Sequence, residues 1–284
     1  MGGNTMRAVA ALAGLLAACG GTQTGGGGGD YRPEPLEGHA FLRAYGEQNV
    51  STFGEVRDSE TVLPLMREAR GAERKTLQRE LALAYMVEAE AETEPRKQRR
   101  AWRDTQQAAQ RAATRVRDAW IRAELDFVQL WAAWRSGARN ASRKAERFTS
   151  RHLSGGDLLL MAWAIRGEIA LEAEAWEEAR TSFRYLLGHI DHPLYAYALF
   201  REGEALRGLE RSDEASEAFE QARDMGCDPE APPAVLRIAA LAARQARTDV
   251  HLDAAGKPRP DSCAPPPVEG EGEGTADEGW TPEE

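Results

Sequence analysis

The pattern of apolar and polar positions predicts helices along most of this chain. Between about 63 and 247, apolar residues recur at the spacing of one helical face, and Ala, Leu, Glu and Arg dominate the composition. No run in this region alternates apolar and polar residues with the period of two that a half-buried strand requires. Prolines cluster at a few boundaries between the helical segments, where they end helices. The sequence therefore predicts an all-α fold.

Four pairs of residues recur at one offset of 36 positions in the second half of the chain. The pairs are Gly167 and Gly203, Ala179 and Ala215, Phe183 and Phe219, and Pro193 and Pro229. Agreement of this many positions at one offset indicates an internal repeat. Small residues let the two helices of a hairpin approach closely, and a phenylalanine fills the space toward the neighbouring hairpin. The pattern therefore predicts two stacked helical hairpins.

The two segments resemble tetratricopeptide repeats (TPR), in which a large apolar residue and a small residue on the first helix precede A-x3-F on the second helix and then a proline. The matching residues are Trp163, Gly167, Ala179, Phe183 and Pro193 in the first unit, and Leu199, Gly203, Ala215, Phe219, Ala222 and Pro229 in the second. The resemblance covers about 158–226, although Arg166, Ala170 and Glu202 depart from the family pattern. It implies a right-handed α-solenoid of antiparallel helical hairpins with a C-terminal capping helix.

Helical patterning extends on both sides of these two units. Upstream it predicts two less regular hairpins, 72–91 with 96–113 and 114–136 with 141–152. The latter offers five apolar residues for burial: Trp120, Leu125, Val128, Trp131 and Phe148. Downstream, 235–247 is predicted to be the capping helix, with an apolar face of Val235, Leu236, Ile238, Ala239, Leu241 and Ala242.

The first residues of the chain resemble a bacterial lipoprotein signal. Arg7 precedes an apolar run at 8–18, which is shorter than the roughly 20 residues that a membrane-spanning helix needs. The run ends in L-A-A-C at 16–19, which resembles the lipobox and implies that Cys19 is lipidated after cleavage before it. An ordinary cleaved signal peptide and an uncleaved anchor are the alternatives. Gly20 in place of an aspartate favours the outer membrane, facing the periplasm.

Residue composition distinguishes further segments before and after the helical part. Glycine and threonine surround one glutamine at 20–29, which predicts a flexible tether between the lipid and the folded part. The end of the chain is rich in Pro, Gly and Glu and is expected to be disordered. The predicted organisation is a signal peptide at 1–18, a lipidated tether at 19–35, degenerate hairpins at 36–157, two TPR-like repeats at 158–230, a capping helix at 231–247 and an acidic tail at 248–284.

Charge is unevenly distributed in a chain whose net charge is −10. The stretch 96–117 carries eight basic residues and one acid, whereas 268–284 carries seven acids and no base. The basic stretch lies on a predicted helix, so a solvated face is expected first, with binding of anionic lipid or polysaccharide as the alternative. An acidic pI near 5.2 and the lack of any recognition motif argue against nucleic acid.

The remaining cysteines are Cys227 and Cys263, which could form a disulfide if the chain is exported to an oxidising compartment. Two free thiols are the alternative, because sequence separation does not determine the distance between the Cα atoms.

The sequence contains no recognisable catalytic or cofactor motif. Serine and cysteine nucleophile elbows, phosphate-binding glycine loops and HExxH are absent. His189, Asp191 and His192 form the only close histidine group, and a zinc site needs further ligands, so roles in a turn and a helix cap are expected. We predict a protein that is not an enzyme and that holds neither a cofactor nor a metal.

The resemblance to TPR proteins implies a concave groove lined by the first helices. In that register Glu168, Glu172, Arg201, Glu204 and Arg207 would point toward the groove. The predicted function is a lipid-anchored scaffold that binds another cell-envelope protein, in assembly of an outer-membrane, secretion or motility complex. A module that binds anionic lipid or polysaccharide through 96–117 is the alternative, and a cell-wall enzyme is a less favoured one.

Overall fold

Ten α-helices follow one another along 56–114, 116–154 and 156–246, the residues that the computed structural model describes. These residues contain no strand, which confirms the all-α prediction. The helices are α1 (Ser59–Glu68), α2 (Gly71–Ala91), α3 (Pro95–Ala113), α4 (Ala119–Arg135), α5 (Ala141–Arg151), α6 (Asp157–Glu172), α7 (Trp176–Leu187), α8 (Tyr195–Gly208), α9 (Ser212–Asp224) and α10 (Pro233–Gln245), with a 3-10 turn at Met225–Cys227 between the last two.

Each helix packs against the next one in the chain. Short connections join α2 to α3, α4 to α5, α6 to α7 and α8 to α9, so these helices form four hairpins in series. The first helices of neighbouring hairpins also contact one another, α2 with α4 and α4 with α6, while α10 contacts both helices of the last hairpin. The helical hairpins are therefore stacked in the order of the sequence.

Side chains at the helix starts explain where several helices begin. Asp118 caps α4, because its carboxylate accepts a hydrogen bond of 2.9 Å from the Ile121 N–H. Pro95 and Pro233 occupy the first positions of α3 and α10, where the missing N–H has no cost. Our predicted start of the upstream hairpin near Thr114 was wrong, since Thr114 ends α3 and α4 begins five residues later.

Apolar side chains from α2 to α10 form the main core. Of the residues predicted to be buried upstream, Leu125, Val128, Trp131 and Phe148 are buried. The prediction for Trp120 was wrong, because this side chain is 47% exposed. It lies in the first turn of α4, and the buried residues of its stripe begin one turn further along the helix. On α10, Val235, Ile238, Ala239 and Ala242 are buried, while Leu236 and Leu241 are partly buried against the core.

Each of the two repeated units presses a phenylalanine ring onto a helical glycine. A Cβ at Gly167 would lie 2.5 Å from Cζ of Phe183, and a Cβ at Gly203 would lie 2.8 Å from Cε1 of Phe219. Both rings are fully buried, as are the alanines one turn before them, Ala179 and Ala215, and Ala222 further along α9. The residues that recur in the sequence therefore make the same contact in both hairpins.

A third hairpin shares the turn geometry of these two units. Gly137, Glu174 and Glu210 have φ values of 65°, 56° and 62°, and each lies between the two helices of a hairpin. In each turn this residue donates its N–H to the carbonyl three residues earlier, and the next residue donates to the carbonyl five residues earlier. The turn of the α4–α5 hairpin thus extends the repeat upstream of the part that the sequence pattern indicated.

Substitution of Gly167 by alanine is expected to lower the free energy of unfolding. Overpacking against the Phe183 ring costs about 1–3 kcal/mol and opposes the gain of about 1 kcal/mol in helix propensity, so a net loss follows where the ring has no room to move. Urea unfolding followed by circular dichroism measures the difference. The control is Gly188→Ala, whose Cβ would meet its nearest atom only at 3.4 Å. A stabilised Gly167→Ala variant would show that the ring is not confined.

Substitution of Gly137 by alanine should destabilise the protein by about 1 kcal/mol, because an L-residue in the left-handed region is strained. No atom lies within 4 Å of a Cβ at this position, so backbone strain is the only cost. Glu174→Ala is the matched control, since that turn already holds a side chain at positive φ, and a change within about 0.5 kcal/mol is expected. Equal losses in the two thermal unfolding curves would contradict this explanation.

Candidate functional site

Buried charges join the first helices α6 and α8. Glu168 on α6 accepts a short hydrogen bond from the Tyr197 hydroxyl and one of 2.9 Å from Nη2 of Arg201. Arg201 also pairs with Glu204, one turn further along α8, at 2.5 Å. The side chains of Glu168, Arg201 and Glu204 are only 7%, 3% and 0% exposed. Three of the five predicted groove residues therefore form one buried network.

Burial and pairing together set the protonation states in this network. Burial opposes the charge of Arg201, but the carboxylates of Glu168 and Glu204 outweigh it and hold the Arg201 pKa above its ordinary value. Burial raises the Tyr197 pKa well above its usual range, and the neighbouring Glu168 charge raises it further, so Tyr197 stays a neutral donor. Loss of one partner from such a buried pair typically costs about 3–5 kcal/mol, since the other charge stays buried. The network therefore fixes α8 against α6.

The other two predicted groove residues lie beside this network. Burial, and then the Glu168 charge, raise the pKa of Glu172 at the end of α6. Arg207 near the end of α8 hydrogen-bonds the side chain and, at 2.9 Å, the main-chain carbonyl of Gln245 on α10. Its guanidinium lies 4.7 Å from the centre of the Phe219 ring. The five residues therefore lie on α6 and α8, and Arg207 extends their contacts to α10.

The same kind of link joins the first helices upstream, where the sequence did not indicate it. Arg79 on α2 pairs with the buried Glu124 on α4 through two contacts, one of them 2.6 Å long. Glu90 on α2 pairs with Arg135 on α4 through two hydrogen bonds of 3.1 Å and accepts one of 2.7 Å from the Trp131 indole N–H. Both ion pairs join residues 45 positions apart, a separation that leaves no short-range pattern.

Two departures from the TPR pattern also serve the packing of hairpins. Arg166 of α6 pairs with Glu178 of α7 at 3.0 Å and lies over the ring of Trp163. Glu202 of α8 lies within 4 Å of Arg180 and Arg184 of α7, although burial raises its pKa. Charges at these positions therefore replace an apolar contact by an ion pair between adjacent helices.

The basic stretch 96–117 lies mainly on the outer side of α3. Its described basic residues are exposed: Arg96, Lys97, Arg99, Arg100, Arg103, Arg111 and Arg117. Trp102 on the opposite side of the same helix is buried. This placement is that of the solvated helix face that we expected first.

An open apolar depression lies at the two turns that precede α6 and α8. Leu153 and Ile190 on its surface are 76% and 68% exposed. Tyr185 is also partly exposed there, and its ring stacks on Trp163 with 4.7 Å between the ring centres. The depression encloses about 730 Å³. We name it the apolar depression, and it is the most water-exposed grouping of large apolar side chains on the described surface.

The histidine group forms part of this turn. Nδ1 of His192 accepts a hydrogen bond of 3.2 Å from the Leu194 N–H, just before α8 begins. Nε2 of His192 lies 3.8 Å from Asp157, and burial lowers the His192 pKa. Within 56–114, 116–154 and 156–246, no group of three or more His, Cys, Asp or Glu side chains is placed to hold a metal ion.

Several predicted features lie outside the described residues, namely the signal peptide, Cys19, the tether, the acidic tail and Cys263. Cys227 is disulfide-bonded, and its pairing with Cys263 stays a prediction. None of the ten described helices is both long and apolar enough to cross a membrane.

No protein-family model matches this chain, and comparison with curated proteins and with solved structures finds no match in either.

Glu172→Gln is expected to stabilise the protein slightly at about pH 7, since water still reaches this carboxylate and screens part of the effect, and the benefit disappears as the pH falls. Because the folded-state pKa of Glu172 is raised above 4.5, the ionised carboxylate opposes folding above that pKa, and the penalty vanishes once both states are protonated. Urea unfolding at about pH 7 and at successively lower pH values measures the gain in the free energy of unfolding. Glu217→Gln on the exposed side of α9 is the control. A gain that is constant with pH would exclude this cause.

Proposed function

We propose that this protein is a lipid-anchored, TPR-like scaffold that binds another protein of the bacterial cell envelope. The consecutive packing of helical hairpins supports the TPR-like part, together with the glycine–phenylalanine contact that recurs after 36 residues. In this proposal the hairpins form a right-handed α-solenoid, in which α10 caps the last repeat. The likeness extends to the α4–α5 hairpin through its shared turn geometry.

The apolar depression is the observation that carries the binding function. Leu153 and Ile190 are large aliphatic side chains that face water, although burial of one such side chain contributes about 1.5–3 kcal/mol. A partner that covers both side chains would gain this free energy. Asp157 and Asp191 at the margin favour a partner whose apolar contact is flanked by basic residues.

The first-helix face contributes less to recognition than the TPR resemblance implies. Glu168, Arg201 and Glu204 satisfy one another in the buried network, so a partner would have to break strong internal ion pairs to reach them. We therefore propose that these charges maintain the stacking of the hairpins, and that a partner protein binds mainly at the apolar depression.

The proposal also includes a location in the cell. The L-A-A-C sequence at 16–19 supports lipidation of Cys19, and the glycine-rich 20–29 supports a flexible tether. The proposed site of action is the periplasmic face of the outer membrane, where the scaffold contributes to assembly of an outer-membrane, secretion or motility complex.

Binding of anionic lipid or polysaccharide through 96–117 remains the second candidate. The exposed cations of α3 favour it, because their charges face solvent and attract polyanions at low ionic strength. Such binding would weaken steeply with salt, whereas burial of Leu153 and Ile190 would change little.

Crosslinking in intact cells followed by affinity purification tests the scaffold proposal. The double variant Leu153→Glu with Ile190→Glu places charges in the apolar depression and should reduce recovery of the partner by about tenfold or more. Both positions are exposed, so the thermal unfolding curve should stay close to that of the unmodified protein. Mass spectrometry identifies and quantifies the recovered protein.

Val87→Glu is the matched control, since Val87 is an exposed aliphatic residue on α2, away from the depression. Recovery that is unchanged in both variants would contradict the proposed surface. Recovery that falls only with Arg99→Gln and Arg103→Gln would favour the second candidate.

Cys19→Ala should abolish labelling by a fatty-acid analogue and release the protein from sedimented membranes, and retention of both would refute lipidation.

A further inference from the structure

A small polar pocket lies between the end of α3 and the helices α4 and α5. It encloses about 260 Å³, less than the roughly 300–1,000 Å³ that is usual for drug-sized ligands. Its charged lining residues are Arg122, Asp126, Lys144, Arg147, Arg151 and His152. We call it the basic pocket. The apolar depression lies elsewhere, at the turns that precede α6 and α8.

Three of the cations come from one face of α5. Lys144, Arg147 and Arg151 are separated by three and then four residues, which places them on successive turns of the same helical face. Glu146, the only acid of α5, is exposed and does not line the pocket. Arg122 adds a fourth cation from α4.

Asp126 is the only acid among the described lining residues, and its oxygens already have partners. Oδ2 lies 3.2 Å from Nε of Arg122 and 3.2 Å from Nε2 of His152, while Oδ1 accepts a hydrogen bond of 3.4 Å from the Gln129 amide. Arg122 also donates to the Ala113 carbonyl at 2.8 Å, so it is held at the pocket wall.

The cations of α5 do not share this arrangement. Nζ of Lys144 donates to the Gln129 side chain at 3.3 Å, which is a neutral acceptor. In the described part of the chain, neither Lys144 nor Arg147 nor Arg151 has a carboxylate within 4 Å. The pocket therefore gathers more positive charge than its own acid neutralises.

Burial and the neighbouring charges both affect the protonation of Lys144. Burial lowers the pKa of Lys144, and the neighbouring Arg147 and Arg143 lower it further, while Asp126 opposes the shift. A dianion between these side chains would relieve the mutual repulsion and accept charge-assisted hydrogen bonds from both lysine and arginine. The volume suits a single tetrahedral group rather than a length of polymer.

We propose that the basic pocket binds a phosphate group, carried either by a small phosphomonoester or by a lipid headgroup. Lys144 supplies a compact point charge, and Arg147 and Arg151 supply planar donors to separate phosphate oxygens. Asp126 holds Arg122 and His152 in position through the contacts of its Oδ2 atom.

Isothermal titration calorimetry with glycerol 3-phosphate, at constant ionic strength set by chloride, tests this site. The full chain carrying Cys19→Ala is used, so that no lipid anchor contributes to the binding. Arg147→Gln with Arg151→Gln should weaken binding by about tenfold or more, since each charge-assisted contact to phosphate contributes strongly. Lys144→Gln should weaken it to a similar extent. Circular dichroism checks that the exposed substitutions leave the fold intact.

Arg67→Gln with Arg74→Gln is the matched control, because it removes the same charge from exposed positions of α1 and α2, outside both the basic pocket and the stretch 96–117. Its effect on binding should stay within about twofold. Equal weakening by both pairs would mean diffuse attraction and would overturn the site, as would the absence of binding both to glycerol 3-phosphate and to vesicles that carry a phosphomonoester headgroup.

Sedimentation with vesicles of phosphatidic acid and phosphatidylcholine, compared with phosphatidylcholine alone, separates the two sources of phosphate, because the headgroup of phosphatidic acid is a phosphomonoester. Binding to glycerol 3-phosphate that the α5 variants abolish assigns a soluble ligand. Binding only to phosphatidic acid vesicles, lost in the same variants and retained in the control with Arg67→Gln and Arg74→Gln, assigns a lipid headgroup. Vesicle binding that the α5 variants do not change would overturn the proposal.

Discussion

The contact between a phenylalanine ring and a helical glycine sets the spacing of the two helices within a hairpin. Because Gly167 has no side chain, the ring of Phe183 reaches the backbone of the helix that it packs against. The other edge of the same ring meets Tyr197 of the next hairpin, with 6.0 Å between the ring centres. One side chain therefore holds its own hairpin closed and carries the packing into the next.

The charges on the first helices form ion pairs between hairpins whose positions the apolar packing sets. Each connection that has been described, Arg79 with Glu124, Glu90 with Arg135, and Glu168 with Arg201, joins one hairpin to the next. Ion pairs of this kind add little net stability compared with apolar contacts, but they penalise any register in which the partners do not meet. Apolar packing thus supplies the attraction, and the charges select one arrangement of neighbouring helices.

The sequence predicted those parts of the fold in which the contacting residues belong to the same repeated unit. The offset of 36 identified Gly167 with Phe183 and Gly203 with Phe219 because the contact is repeated in the same chain positions. The repeat pattern did not distinguish a charge that lines a groove from a charge that is buried between helices. Glu168 and Arg201 would occupy the same positions along their helices in either arrangement. The partner of a buried carboxylate such as Glu124 is 45 residues away and has no local signature.

The candidate sites, too, could be predicted from the sequence only in part. Four basic residues against one acid in α5 are visible in the sequence, but we gave weight to the longer stretch at 96–117. Only the packing of α5 on α4 turns those charges toward Arg122 and Asp126. The apolar depression likewise combines Leu153 with Ile190 from different turns, and neither residue belongs to a periodic stripe.

The three equivalent turns, at Gly137, Glu174 and Glu210, are 37 and 36 residues apart. In the proposed α-solenoid each hairpin meets its neighbours through similar surfaces, so the array has no length that its internal contacts prefer. Gain or loss of one whole unit would join surfaces that already fit, whereas a change of a few residues within a helix would rotate every side chain beyond it. A protein built in this way can change its reach only in steps of a complete hairpin.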